Sequence, residues 1–135
     1  MTPYDLLLTS TNAARMREGL PALSGHTLLN QVAQAHALAM AHGGYFDHID
    51  NEGYGIGERL LKVGYNYRWC GENISAGKAN ADDVIAWWLS SDSHRDNILK
   101  PEFTHVGFGY CFIEQDKNSF HHYWVQVLAS PLHPA

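Results

Sequence analysis

The chain predicts an α+β fold in which helices pack on an antiparallel sheet, and three observations carry the prediction. Capped segments with helical spacing of apolar residues fill most of the first hundred of the 135 residues. The hydrophobic period then drops to two, because Val106, Phe108, Tyr110 and Phe112 alternate with Gly107, Gly109, Cys111 and Ile113. A turn sequence, Asp116-Lys117-Asn118-Ser119, joins that strand to a second one and makes a hairpin. The length suits one domain over residues 1–135, with a core that needs no disulfide.

Each element has a local cause. Thr2 caps the first helix, Pro3 takes its first position and Asp5 completes a capping box; Gly19 stops it after about Glu18. Leu20 to Leu23 reads as an extended connection. Leu28, Leu29, Val32, Ala35, Ala39 and Met40 form the stripe of a second helix over Thr27 to His42, ended by Gly43-Gly44. His36 beside that stripe reads as a packed or hydrogen-bonded helix residue. Tyr45 to His48 is a loop, and Gly53 to Gly57 is turn-like. A short helix over Glu58 to Val63 is closed by Gly64. The polar and aromatic stretch Tyr65 to Cys70 leads into a short strand over Gly71 to Gly77. Asn80 caps the next helix, with Asp82 and Asp83 suited to its first turn. Trp87 and Trp88 lie ~100° apart on that helix, so one of them is left to line a cavity or lie half-exposed. Ser93 is expected to cap a further short helix, with Asp96 three residues on and Lys100-Pro101 at its end. The late strands cover Val106 to Ile113 and Phe120 to Ala129. The glycine face of the former implies a second element in close approach. Pro131 to Ala135 reads as a plain tail.

Composition excludes several classes. Net charge is −5 with neutral histidines, and the lysines and arginines are scattered, which argues against nucleic acid. No apolar run approaches the ~20 residues of a transmembrane helix. Met1 to Asp5 shows no basic segment followed by an apolar one, so no signal peptide stands in this numbering. Cys70 and Cys111 form no CxxC; a disulfide is favoured over two buried thiols, given an oxidising compartment.

The chemistry concentrates in Phe46-Asp47-His48, Gly71-Glu72-Asn73-Ile74 and Ser93-His94-Arg95-Asp96-Asn97-Ile98-Leu99. Imidazole with carboxylate makes a divalent-metal site or a proton-transfer site. A buried glutamate stays ionised only beside a cation or hydrogen-bond donors. His48, Glu72 and His94 as ligands leave zinc, or another divalent ion, with an open position, the pattern of a labile or catalytic site. The spacing is not HExxH. Two other readings stay open: Glu72 as a structural clamp in a pure interaction domain, and Glu72 as ligand or general base of a metal-dependent, peptidase-like hydrolase. No nucleophile stands out: no GxSxG is present, and Ser91 or Ser93 beside His94 are sequence neighbours, which rarely have attacking geometry. Asn73, Arg95 and Asn97 are expected to be structural.

These motifs, with His36 to His48 (HALAMAHGGYFDH) and Tyr123-Trp124-Val125-Gln126-Val127, stand in an order that resembles the bacterial branch of the CAP superfamily. That superfamily, also called SCP/TAPS, covers cysteine-rich secretory proteins, antigen 5 and pathogenesis-related 1 proteins. The resemblance implies a three-layer α-β-α sandwich with a central antiparallel sheet. It also implies a surface cleft with His48, Glu72 and His94, lined further by Trp88, Ser91 and Tyr123. Eukaryotic members carry a second glutamate where this chain has Ser91, and a histidine where it has Tyr123. Strand alternation turns the neighbouring His122 to the other face. The reading that follows is a secreted or cell-envelope domain, monomeric, that binds a divalent metal and a small apolar or glycan-like ligand or an envelope component.

Overall fold

The computed structural model describes residues 1–133; Pro134 and Ala135, the end of the expected tail, lie outside the described residues. Helix α1 (Pro3–Arg17) begins with the capping box that its sequence encodes, Thr2 Oγ1 accepting from Asp5 N at 3.1 Å and the Asp5 carboxylate accepting from Thr2 N. After it come β1 (Ser24–Gly25), α2 (Thr27–Gly43), α3 (Ile56–Lys62), β2 (Tyr67–Ala76), α4 (Ala81–Ser90), α5 (Asp92–Ile98), β3 (His105–Phe112) and β4 (His122–Pro131).

The four strands form one sheet in the order β1-β3-β4-β2. β4 pairs antiparallel with both β3 and β2, whereas β1 runs parallel to β3. The sheet is therefore mixed rather than purely antiparallel. β1 has no alternation to betray it; two backbone bonds, Ser24 N to Thr104 O at 2.9 Å and His26 N to Val106 O at 3.0 Å, draw the extended connection onto β3. β2 is also longer than expected. Its first residues lack a strand pattern of their own and are held by the ladder to β4, with a register irregularity between Tyr67 and Trp69.

Alternation along β4 builds the sandwich. Tyr123, Val125, Val127 and Ala129 face the layer of α2 and α3, where Leu29, Ala33, Met40 and Leu60 complete one core. Trp124 and Leu128 face α1, α4 and α5, against Leu7, Val84, Trp88, Ile98 and Phe103. α2 lies hard on the glycine face of β3. A Cβ at Gly107 would overlap the backbone of Leu29 and Asn30, and one at Gly109 the backbone of Ala33. In the other layer Arg15 is wholly buried, and it donates to the carbonyls of Pro21 at 2.9 Å, Ile98 at 2.8 Å and Lys100 at 2.9 Å. It thereby satisfies carbonyls at the end of α5 that no helical amide reaches.

Two further expectations are corrected. α5 starts after Ser91, not Ser93, because the chain turns directly from α4 into α5 through that residue. Cys70 and Cys111 are free thiols. They stand on strands either side of β4, level with Ala129 and Tyr123 respectively. Six residues of strand separate those positions, roughly 20 Å, well beyond the ~7 Å a disulfide spans between Cα atoms.

The outer carbonyls of β2 are also occupied. Trp88 Nε1 donates to Ile74 O at 3.1 Å, and Asn97 Nδ2 reaches Glu72 O at 3.3 Å.

Candidate functional site

β2 carries Glu72 into the layer under α3, where its side chain is 1% exposed. A carboxylate so far from water needs donors. Arg59 of α3 supplies them as a two-pronged pair, NH1 to Oε2 at 2.9 Å and NH2 to Oε1 at 3.0 Å. His48 Nδ1 lies 2.9 Å from Oε1. Burial pushes the Glu72 carboxyl up, but the His48 and Arg59 hydrogen bonds outweigh it, and the net direction is down. An ionised carboxylate can only accept, so His48 Nδ1 carries the proton and Nε2 is the nitrogen turned from Glu72. The same bond raises the His48 pKa, against the opposing effect of burial.

The loop that holds His48 is fixed from beneath. Arg59 NH2 donates to His48 O at 2.8 Å, His36 Nε2 lies 2.8 Å from Asp47 O, and Asp47 Oδ1 accepts from Ile49 N at 2.9 Å. Burial lowers the His36 pKa, in keeping with a neutral ring that donates to the Asp47 carbonyl.

His94 comes from the opposite side, on the first turn of α5. Its Nδ1 meets Ser91 Oγ at 2.7 Å, and the hydroxyl so engaged makes no cap bond to the helix. Burial lowers its pKa, and the charge of His48 lowers it further. Asn73 Nδ2 donates to His94 O at 3.0 Å and to Gln126 Oε1 at 2.8 Å, while Asn97 Nδ2 donates to Asn73 Oδ1 at 2.9 Å. This amide network locks α5 to β2 and β4. Arg95 pairs with Asp92 at 2.8 Å on the surface.

His48 and His94 line one cleft of about 280 Å³ with Phe46, Asp47, Ile74 and Trp87. Trp87 packs against His94 at 5.9 Å between ring centres and is 44% exposed. Trp88 and Tyr123, expected at the cleft edge, are both fully buried and belong to the two cores. The helical turn sends Trp88 onto the sheet and leaves Trp87 for the cleft. Tyr123 donates instead to Asp116 Oδ2 at 2.6 Å, which helps hold that carboxyl at about 2. Ser91 touches the cleft through His94. Glu72 stands behind His48 with both oxygens engaged and is not among the side chains that line the cleft. Among the described residues, no group of three or more His, Cys, Asp or Glu side chains is placed to hold a metal ion.

The sequence does not single out Arg59. It lies inside a short helix without a motif, and its only signal is the rule that a buried carboxylate must have a cation nearby.

The profile of the cysteine-rich secretory protein family, CAP, matches residues 8–128. The chain belongs to the CAP superfamily. YkwD of Bacillus subtilis (strain 168) is 40% identical over 101 residues, which cover 74% of this chain and 39% of that protein. The chain thus spans about two fifths of that curated relative. A Bacillus anthracis extracellular protein containing an SCP domain superposes with a TM-score of 0.82 at 27% identity, over 94% of this chain and 40% of the other. An outer surface protein of Borrelia burgdorferi gives 0.84 at 17% identity, over 94% and 91%, a likeness of fold. No helix among the described residues is long and apolar enough to cross a membrane.

Proposed function

We propose that this CAP domain works outside the cytoplasm, in a secreted or cell-envelope protein, and that its cleft takes up a divalent metal ion on His48 and His94. One observation carries the reading. Each imidazole has its Nδ1 engaged from behind, by Glu72 and by Ser91, and each ring lines the same cleft. A carboxylate or hydroxyl on one ring nitrogen is what fixes the other as a ligand.

The donor set fits a labile ion rather than a structural one. Two imidazoles suit zinc, copper or nickel, and they leave at least two positions of a tetrahedral ion for water or ligand. Such an ion would polarise whatever it holds. Glu72 would orient His48 and would not coordinate. It is equally unsuited to act as general base, because its side chain is 1% exposed and is not among those that line the cleft. The neighbours named extracellular and outer-surface support the location.

Calorimetric zinc titration tests the site. The wild type is expected to bind one zinc, and His48→Ala and His94→Ala each to lose it. Equal binding by all three would overturn the assignment. The clamp reading is favoured by a separate observation, the Arg59 pair that ties α3, the His48 loop and β2 together. If that were the whole role, Glu72→Gln would lower the melting temperature while zinc changed nothing in the wild type.

A further inference from the structure

We infer that the cleft binds one ring of an uncharged pyranose chain, held between Phe46 and Trp87. The inference deepens the cleft assigned above and rests on it for the place, though not for the metal.

Two large apolar side chains of the cleft lining are left in solvent, Phe46 and Trp87 at 44% exposed each, and Phe120, 38% exposed, stands beside Phe46. Phe46 and Phe120 lie 6.1 Å apart between ring centres, while Trp87 forms another part of the lining with His94. Exposed aromatics on loose loops would need no explanation, but these are on fixed segments. Phe46 belongs to the loop held through Asp47 and His48. Phe120 sits in the β3–β4 loop, where Asp116 Oδ2 accepts from Phe120 N at 3.2 Å and His121 N at 2.9 Å. That loop is tied back to α2 by Asn118 Nδ2, which donates to Gly44 O at 2.9 Å. Trp87 is on α4. Rings set in advance lower the ordering cost of binding.

The chemistry between the rings selects the ligand. Ile74 gives an apolar patch, and His48, His94 and Asp47 give polar edges to the same cleft. An aliphatic chain would strip water from these polar groups and pair none of them. A polyanion would meet Asp47 and a chain of net charge −5. A pyranose ring has an apolar face for an aromatic side chain and a rim of hydroxyls that both donate and accept, which matches imidazole and carboxylate together. The volume of about 280 Å³ is small for a complete ligand site and the cleft is open, which suits one unit of a longer chain.

The test uses tryptophan fluorescence and calorimetry on the whole chain with chitohexaose and cellohexaose, and with laurate as the apolar alternative, each in zinc and in chelator. At least one hexasaccharide is expected to bind, with affinity reduced tenfold or more in Trp87→Ala and Phe46→Ala and unchanged in Trp69→Ala, whose ring lies elsewhere. Retained zinc binding in the two cleft variants would show that the site is still folded. Failure of both sugars, or laurate binding in their place, overturns the inference. Sugar binding that persists in chelator and in a wild type without zinc affinity supports it while removing the metal reading. Zinc binding without sugar binding does the reverse.

Discussion

The two buried guanidinium groups of this protein solve the same problem in opposite ways. Arg15 faces the backbone carbonyls of Pro21, Ile98 and Lys100. Arg59 faces a carboxylate, and behind that carboxylate stands a histidine at the surface. The former spends its hydrogen bonds on closing the helical layer. The latter fixes a side chain that remains half-exposed. The comparison teaches that burial of charge alone does not mark a functional site in this fold. One guanidinium closes a core layer, and the other passes its constraint through a carboxylate to an exposed ring.

The largest expected effect comes from breaking the Arg59 side. Glu72→Ala leaves a buried guanidinium unpaired and should cost about 3–5 kcal/mol in urea unfolding. Replacing both partners, Glu72→Leu with Arg59→Met, should restore much of that stability because an apolar pair removes the desolvation cost. Zinc affinity should stay lost in the double variant, since nothing then orients His48. Wild-type affinity there would show that Glu72 has no orienting role.

Arg15→Gln comes next. It deprives several carbonyls of a charged donor, and about 3 kcal/mol of stability should go with it. Zinc binding below the melting point should be unchanged, which separates the two guanidinium sites by readout.

Acid gives a third and smaller effect. His36, His94 and His105 are all held low, by burial first in each case. Such rings bind protons less readily folded than unfolded, so stability falls as pH drops past ~6.5. His48 is held high, so the stability of its pair is fully present below the unfolded pKa and fades as pH rises through the folded one. Glu72 is held low and keeps its contribution until pH falls through its folded pKa, below the usual carboxylate range. The three lowered rings set the expected sign, and the melting temperature should drop between pH 7 and 5.5. A rise over that interval would show that His48 dominates.

Ser91→Ala should have the least effect on stability, because the hydroxyl caps nothing. Loss of its bond to His94 should weaken zinc binding about tenfold, with Ser91→Thr restoring it. Calorimetry reads both.

Much of this was legible in the sequence because it is local. The Thr2 and Asn80 caps bind where their spacing says they should. The glycine face of β3 does meet a helix. The α+β class follows from the change of period. The parts that were not legible are decided across the chain. β1 is two residues drawn out by β3, the start of β2 is imposed by β4, and the thiols are parted by that same strand. Composition cannot choose between Trp87 and Trp88; the direction of the sheet from α4 chooses. Arg59 meets Glu72 only because α3 folds over β2.

The occupied rim of β2 has one more consequence. An exposed ladder of backbone acceptors invites a stranger's chain to extend it. At Glu72 and Ile74 that invitation is withdrawn, because an indole and an amide already sit where foreign N–H groups would dock. Trp88 and Asn97 thus leave no open acceptor at these two positions, and Asn97→Ala, which keeps the buried core indole, is expected to form thioflavin-positive aggregates sooner than the parent chain.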